Sequence, residues 1–262
     1  MGTLTPLERL RPIGLDDLVA RAELLTRLDR KYLLTAREAE DFLGELPADT
    51  EVLSVDGALA SRYETVYFDT PDWLSYRMTA HVRGTRLKVR TRTYVDSDAS
   101  FLEVKTREGS GLTVKERIPH DPQGRARLTI GAREYVASQV ADLRLGRDLA
   151  YELFPVIHTT YDRSTLLAPD GAGRITVDTS LAWRLPDDRA LALPDLVIVE
   201  TKSLSASSAA DRLLWRSGHR PVSVSKFATG LAALRPELPH NRWARILRGP
   251  FTTDKDSLCA AA

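Results

Sequence analysis

The sequence predicts an α+β domain built around a large antiparallel β-sheet. Several short segments alternate polar and apolar residues and are rich in aromatic and β-branched side chains, which is the pattern of half-buried strands. Two of the connections between them, VDSDAS and EGSG, are short and rich in turn formers, as antiparallel hairpins require. Helical patterns lie between strands without a regular strand–helix–strand repeat, and there is no GxxxxGK[ST] phosphate loop. A P-loop or Rossmann fold is therefore not expected.

The first elements are predicted from capping and alternation. Thr35–Leu46 begins with a threonine cap followed by Glu38 three residues on, has apolar residues at helical spacing and stops at Pro47, so it is predicted to be a helix. Arg62–Asp69 alternates as a strand, and Asp72–His81 is predicted to be a short helix. Strands are predicted next at Thr85–Val95, Phe101–Arg107, Leu112–Pro119, Phe154–Ser164, Gly173–Thr179 and Asp195–Ser203. Further helices are predicted at Ile130–Leu145, Ser205–Ser217 and Ser225–Leu234, the last two with serine caps.

Composition bounds the class of protein. The 262 residues suit one large domain or two small ones, and 43% hydrophobic with 28% charged residues is typical of a globular protein. The 37 basic residues nearly balance the 36 acidic ones, which argues against a protein that coats nucleic acid non-specifically. The single cysteine, Cys259, excludes an internal disulfide and a cysteine zinc site. With no secretory signal and no run of about 18 apolar residues, we expect a cytoplasmic protein without direct membrane insertion.

Cations follow one face of the strand at Thr85–Val95. A strand alternates its side chains between faces, so Arg86, Lys88, Arg90 and Arg92 share one face and Leu87 begins the other. Four cations in a row repel one another unless water or an anion lies along them. On this strand alone, a solvated outer face and an anion-binding face are both open.

Five further strands repeat the charged face, which favours an anion-binding interior. If such strands closed into a barrel, their charged faces would line a wet tunnel, and a linear polyphosphate would match its cations. Near the start of the sequence, Asp29 and Lys31 repeat the pattern. The polar and charged positions on the five strands are Glu103 with Lys105, Lys115 with Arg117, Tyr161 with Arg163, Arg174 with Asp178, and Glu200 with Lys202.

Carboxylates on these faces predict a divalent metal, because Mg²⁺ and Mn²⁺ take one or two carboxylates together with water and phosphate oxygens. Glu200 is the first candidate ligand and Glu103 the second. Salt bridges to Lys202 and Lys105 are the structural alternative for these two. For Asp178 the alternative is a side chain that fixes the backbone of a turn.

The ordered motifs resemble the VTC domain, the polyphosphate polymerase branch of the triphosphate tunnel metalloenzyme (CYTH-like) superfamily. The resemblance implies an eight-stranded antiparallel β-barrel, the triphosphate tunnel, flanked by helices. It implies a single domain over residues 1–240 with its core at about 25–235. Residues 241–262, which end in DKDSLCAAA, are expected to form a partly disordered tail. The matching motifs are RKYLL at 30–34, YETVYFDTPD at 63–72, KVRTRTY at 88–94, FLEVKTR at 101–107, TVKER at 113–117, YDRSTL at 161–166, RITVDTSL at 174–181, LVIVETKS at 196–203 and VSKF at 224–227.

The resemblance also implies an activity and its residues. The terminal phosphate of a nucleoside triphosphate, expected to be ATP, would be transferred to inorganic polyphosphate with Mn²⁺ or Mg²⁺ held by Glu200. The implied catalytic residues are Arg90, Arg92, Lys115 and Arg163. The implied phosphate-binding residues are Lys31, Lys105, Tyr161, Arg174, Ser225 and Lys226, to which the face pattern adds Lys88, Arg117 and Lys202.

The sequence departs from the superfamily pattern near Lys31. Asp29 and Arg27 stand where many members carry the glutamates of an ExExK motif, which weakens the case for a two-metal hydrolytic site. No SPX domain or membrane anchor is recognised, so regulation and translocation are not carried over. A membrane protein that receives the product, and the oligomeric state, stay open.

Two other functions remain as alternatives. One is a triphosphatase, in which Glu103 or Glu64 would orient an attacking water. The other is a non-catalytic sensor of polyphosphate or nucleotide. A nucleic-acid module is not expected, because the cationic strands offer no stacking platform.

Overall fold

The structure is a computed structural model that describes residues 4–21, 28–109, 111–143, 145–146, 148–169, 173–203 and 207–251. Arg27, the predicted helix cap Ser205 and Cys259 lie outside these ranges. Within them, strands pair into one large sheet. The strands are β1 Arg11–Ile13, β2 Leu28–Thr35, β3 Glu51–Leu53, β4 Ser61–Asp69, β5 Arg86–Tyr94, β6 Ala99–Arg107, β7 Thr113–His120, β8 Phe154–Leu167, β9 Gly173–Arg184, β10 Ala190–Leu193 and β11 Leu196–Ser203.

The main path of the sheet contains eight strands in the order β2-β11-β9-β8-β4-β5-β6-β7. β1, β3 and β10 pair off this path, and β1 runs parallel to β3. The pairs β2–β11, β11–β9, β4–β5, β5–β6 and β6–β7 are antiparallel. The predicted α+β class with a large antiparallel sheet is therefore confirmed. No pairing among the described residues joins β2 to β7, so the closed eight-stranded barrel is not confirmed.

Two of the predicted caps, Thr35 and Ser225, begin helices, whereas the helix predicted from Ser205 is capped by Ser208. Thr35 and Glu38 form the reciprocal capping box, in which the carboxylate accepts from the Thr35 backbone N–H at 2.7 Å. The predicted helix over 130–145 is shorter than expected, since it ends at Val140 and a 3₁₀ turn follows. None of the described helices is long and apolar enough to cross a membrane. The helices are α1 Leu15–Arg21, α2 Ala36–Gly44, α3 Leu74–Ala80, α4 Ile130–Val140, α5 Leu149–Glu152, α6 Ala209–Arg216, α7 Lys226–Leu234 and α8 Ala244–Leu247.

Contacts divide the chain into two compact units. The first unit contains Met1–Arg62, Tyr161–Leu181 and Leu193–Ser223, and the second contains Tyr63–Thr160, Ala182–Ala192 and Val224–Ala262. In the first unit, apolar residues on one face of β2, β9 and β11 pack against α2 and α6. Because strand residues alternate, the polar residues between them lie on the opposite face. The packed residues include Tyr32, Leu34, Ile175, Val177, Val197 and Val199 from the sheet, and Phe42, Leu43, Leu213 and Leu214 from the helices.

The second unit follows the same plan. Apolar residues of β4, β5 and β6 pack against α4 and α5, which leaves the opposite face of these three strands to polar and cationic side chains. Burying the apolar set stabilises the unit by about 25 cal/mol for each Å² removed from water. The packed residues include Val66, Phe68, Leu87, Val89, Leu102 and Val104 from the strands, and Ala132, Val136, Val140, Leu149 and Leu153 from the helical segment.

The segment expected to form a partly disordered tail is described by the structure over residues 241–251. Asn241–Trp243 is a 3₁₀ helix and α8 follows it. Trp243 packs its ring against Tyr76 at a centroid distance of 5.8 Å, and Phe251 packs against Trp183 at 5.4 Å. Trp243 and Phe251 are buried, so residues 241–251 belong to the core of the second unit.

Candidate functional site

Register in the second unit brings the predicted cations into two rows. Directly opposed residues of neighbouring strands share a face and touch. Arg90 lies between Tyr67 and Glu103, and Glu103 is also opposite Arg117. The neighbouring row consists of three lysines, Lys88, Lys105 and Lys115.

Glu103 is the centre of this cationic face. It is 1% exposed, and both of its oxygens bind cations. Arg90 donates to Oε2 through Nε at 2.7 Å and approaches the same atom through Nη2 at 2.6 Å. Lys115 Nζ donates to Oε1 at 2.7 Å, and Arg92 Nη1 lies 3.9 Å from Oε2. One carboxylate therefore orients three of the four predicted catalytic residues.

The cations decide the ionisation of Glu103. Burial by itself raises the pKa of this carboxyl, but Arg90, Arg92 and Lys115 outweigh burial and hold the pKa well below its usual range. Burial lowers the pKa of Lys115, and the attraction of Glu103 opposes that effect. The face carries more positive than negative charge, so an anion can still bind there.

Aromatic rings border the cations. Tyr67 is uncharged and contacts two of the cations. Its hydroxyl accepts from Arg90 Nη1 at 3.3 Å, and its ring centroid lies 5.9 Å from Lys88 Nζ. Phe227 packs against Tyr67 at 5.1 Å and lies 5.6 Å from Lys88 Nζ. Ser225 caps α7 by accepting from the Ala228 backbone N–H, and its Oγ also accepts from Lys88 Nζ at 3.4 Å. These contacts fix Lys88 at the start of α7.

A second charged face lies in the first unit. Glu200 of β11 is opposite Lys31 of β2 and Thr176 of β9, while Lys202 is opposite Asp29 and Arg174. Lys202 Nζ forms an ion pair with Glu200 Oε1 at 3.2 Å. The salt bridge considered for Glu200 in the sequence therefore exists, whereas the one considered between Glu103 and Lys105 is replaced by Arg90 and Lys115.

Arg163 and Asp178 form a bidentate pair in the first unit. Arg163 Nε and Nη2 donate to the two carboxylate oxygens at 2.6 Å and 2.8 Å. Asp178 lies in the middle of β9 and is fully buried, so the interpretation of it as a turn residue is wrong. The Arg163 guanidinium also lies 5.3 Å from the ring centroid of buried Tyr161. Asp178 and Tyr161 thus hold Arg163 in one orientation.

The environment of Lys202 is unusual for a lysine. Burial lowers its pKa to about 8, Glu200 and Asp29 oppose that decrease, and Arg163 and Arg174 add to it. The ammonium group therefore loses its proton at a lower pH than an ordinary lysine does. An added anion would stabilise its charged form.

Other sequence candidates divide between the two units. Lys31 and Arg174 lie in the first unit on the face of Glu200, while Lys226 begins α7 in the second and accepts a bond from Trp183 Nε1 on its backbone oxygen at 2.7 Å. Glu64 lies on the opposite face of β4 from Tyr67, because three positions separate them, and pairs with Arg125 at 2.6 Å. It does not join the cationic face.

The metal prediction is compatible with a small set of ligands. Within the described ranges, no group of three or more His, Cys, Asp or Glu side chains could hold a metal ion. Mg²⁺ usually takes one or two carboxylates and fills its shell with waters and substrate phosphate oxygens. Glu200 has an Oε1 bond to Lys202, and Asp29 lies on the same face. These residues fit a metal that arrives with its phosphate ligand.

Sequence reasoning missed the aromatic and acidic residues that position the cations. Tyr67 and Phe227 lie within strand and helix patterns that core packing alone explains, so their motifs gave no signal of contact with Lys88. Asp211 was also missed. It is fully buried in the first unit and accepts from Tyr32 Oη at 2.7 Å and Thr201 Oγ1 at 2.6 Å. The S-x-x-D spacing of Ser208 and Asp211 was the available signal, since these residues form a capping box.

Comparison with solved structures found similar chains at low identity. A putative adenylyl cyclase from Hippeastrum, described as having a dominant triphosphatase activity, is 14% identical, covers 78% of this chain and 94% of its own, and has a TM-score of 0.49. A putative adenylate cyclase from Vibrio parahaemolyticus is 12% identical over 73% of this chain and 86% of its own, with a TM-score of 0.39. A protein from Pyrococcus horikoshii is 13% identical over 80% and 98%, with a TM-score of 0.45.

No curated protein matches the chain. The family model of the VTC domain matches residues 26–235, which is most of the sequence. The match includes β2 to α7 and with them both charged faces. The chain therefore belongs to the VTC domain family.

Proposed function

We propose that this protein is a polyphosphate polymerase-like enzyme that transfers the terminal phosphate of a nucleoside triphosphate, most simply ATP, to a polyphosphate chain. The reaction would occur in the cationic tunnel that the family resemblance implies. The observation that carries the proposal is the cationic face of the second unit, where one buried carboxylate orients Arg90, Lys115 and Arg92. Family membership supports the same reaction class.

Orientation is the main contribution of these residues. Phosphoryl transfer requires the attacking and leaving oxygens to be in line and the negative charge to be neutralised, with little covalent chemistry from the protein. Arg90 is held by Glu103 and Tyr67, so its guanidinium group has a fixed orientation before substrate arrives. Arg163 is held in the same way by Asp178. Fixed donors lower the reorganisation that the transition state requires.

A divalent metal fits this reaction through Glu200. Bound to phosphate oxygens, Mn²⁺ or Mg²⁺ would neutralise charge that develops on the leaving nucleoside diphosphate. Glu103 is the weaker of the two predicted ligands, because both of its oxygens already bind cations. We therefore propose that Glu103 positions the cations and that Glu200 contributes the metal-binding carboxylate.

The proposed nucleophile, a terminal phosphate oxygen of polyphosphate, needs no general base. The terminal phosphate oxygen of polyphosphate is ionised at neutral pH, so no proton has to be removed from it. Hydrolysis would instead require a carboxylate to orient water. Glu103 is saturated by cations, and Glu64 lies on the other face of β4 paired with Arg125. Both contacts favour transfer over hydrolysis.

The test is the product formed from ATP and Mn²⁺. The native protein should form long polyphosphate on a gel, and Arg90→Ala and Lys115→Ala should form none while keeping a native circular dichroism spectrum. Arg127→Ala is the matched control, because Arg127 is exposed. The nearby Arg125 backbone oxygen accepts from Thr91 Oγ1, on the face of β5 opposite Arg90, so this segment does not belong to the cationic face. Free orthophosphate without polymer would identify a triphosphatase. Binding without turnover under any metal would identify a sensor, and either result would overturn the proposal.

A further inference from the structure

A cluster of arginines lies at one end of the cationic strand in the second unit. Arg86 of β5 is directly opposite Arg107 of β6. Arg242 lies in the 3₁₀ helix Asn241–Trp243 and donates through Nη1 to the Thr79 backbone oxygen at 2.6 Å. Thr79 belongs to α3, which packs against β5. We refer to Arg86, Arg107 and Arg242 as the terminal arginine cluster.

Two members of the cluster, Arg86 and Arg107, differ from the neighbouring Arg90, which binds the Glu103 carboxylate. Among the residues that the structure describes, no carboxylate lies within ion-pair distance of Arg86 or Arg107, whereas Arg90 has Glu103 at 2.6 Å. The Arg86 Nε atom is buried and has no hydrogen-bond partner within the same ranges. Burial, and then the charges of Arg107 and Arg242, lower the pKa of Arg86. A buried donor beside two further cations needs an anion.

The cluster continues the cationic face. Arg86, Lys88 and Arg90 alternate along one face of β5, and Lys105 is opposite Lys88 between the two ends. Arg90 is four positions after Arg86, which corresponds to about 13 Å at the rise of an antiparallel strand. A triphosphate held at Arg90 is too short to reach Arg86 as well. A longer chain of phosphates could bind both.

We propose that the terminal arginine cluster is a separate subsite for linear polyphosphate, which binds the part of the chain that extends beyond a triphosphate. Its ligand is a chain of unsubstituted phosphates, and this choice of ligand rests on the proposed function. The subsite gives the protein a preference for long chains. Arg242 lies after the family match, which ends at residue 235, so this subsite depends on a segment outside the matched domain.

The surrounding aromatic residues favour unsubstituted phosphate over RNA. Bases of single-stranded nucleic acid bind by stacking on accessible rings. Beside the cluster, Trp243 is 1% exposed and Tyr76 is fully buried, and their rings pack against each other. Charge is accessible here and a stacking surface is not.

Isothermal titration calorimetry with tripolyphosphate and with a several-fold longer linear polyphosphate tests the proposal without ATP or metal. Arg107→Gln and Arg242→Gln should each weaken binding of the long chain about tenfold, equivalent to about 1.4 kcal/mol. Binding of tripolyphosphate should change less than about twofold, because a triphosphate held at Arg90 is too short to reach the cluster. Arg127→Gln should leave both affinities unchanged. Arg107 is exposed, so its variant tests the subsite even if Arg86→Gln or Arg242→Gln does not fold.

Three results would overturn the proposal. One is unchanged affinity for the long chain in Arg107→Gln and Arg242→Gln, and another is an equal loss for both ligands. The third is competition by single-stranded RNA of equal charge as strong as that of polyphosphate. These outcomes are distinct from failure of the proposed function, which is measured as absence of polymer from ATP and Mn²⁺. Length-dependent binding that the variants abolish would support the subsite even in a protein that makes no polymer.

Discussion

Replacing Glu103 with glutamine tests whether this carboxylate positions the cations of the second unit. The substitution keeps the shape of the side chain and removes its charge, which leaves Arg90 without its buried partner. Removing one member of a buried ion pair costs about 3–5 kcal/mol, because the other charge stays uncompensated. The side chain of Arg90 is 18% exposed and that of Glu103 is 2% exposed, so the lower part of that range applies. Lys115 is 44% exposed, and its share is below about 1 kcal/mol.

Glu103→Gln should therefore lose about 3–4 kcal/mol of unfolding free energy at pH 7, measured by urea denaturation. Because the pKa of Glu103 is lowered in the folded state, its contribution is present above the unfolded pKa and is lost as pH falls below it. The difference between native protein and variant should thus shrink as pH falls below about 4. Tripolyphosphate should stabilise the variant more than the native protein, since it supplies the missing negative charge. Equal stability at pH 7, or weaker binding of tripolyphosphate by the variant, would refute this account of Glu103.

Two further perturbations test other parts of the structure. Since burial lowers the pKa of Lys202 to about 8, its charge is lost as pH rises through that value, and tripolyphosphate affinity measured by calorimetry should fall between about pH 7 and 9. Lys202→Arg should remove this dependence, and a flat profile in the native protein would show that Lys202 does not bind the ligand. Gly230→Ala should destabilise the protein by about 1–3 kcal/mol in thermal denaturation despite better helix propensity, because the added Cβ would overlap the Trp183 ring. Gly131→Ala is the control, since nothing lies within 4 Å of its added Cβ, and equal effects of the two substitutions would contradict the packing explanation.

Alternation and capping made most of the fold predictable. The β5 strand was predicted because RLKVRTRTY alternates strictly, and the cap at Thr35 was predicted because Glu38 stands three residues on. Short elements such as β1 and β10 were missed, since three or four residues contain too little pattern to be distinguished from a loop.

The sequence predicted which strand face each side chain of the candidate site lies on, but not which residue it pairs with. The charged faces follow from the period of two along each strand, whereas the partner of Glu103 depends on cross-strand register, which no local pattern specifies. Register places Arg90 directly opposite Glu103 and Lys115 diagonally from it, and both side chains bind the carboxylate. The turn assigned to Asp178 failed for a related reason, because β9 continues through this residue and pairs with β11 there.

The packing of residues 241–251 places the end of the folded core after the end of the family match. Similarity to the family ends at residue 235, yet Trp243 and Phe251 complete the packing of Tyr76 and Trp183. A recombinant fragment that ended at residue 235 would lack Trp243 and Phe251. It would expose the rings of Tyr76 and Trp183 to water and would be prone to aggregate. We therefore expect a stable fragment of this protein to extend at least to Phe251, beyond the residues that match the family.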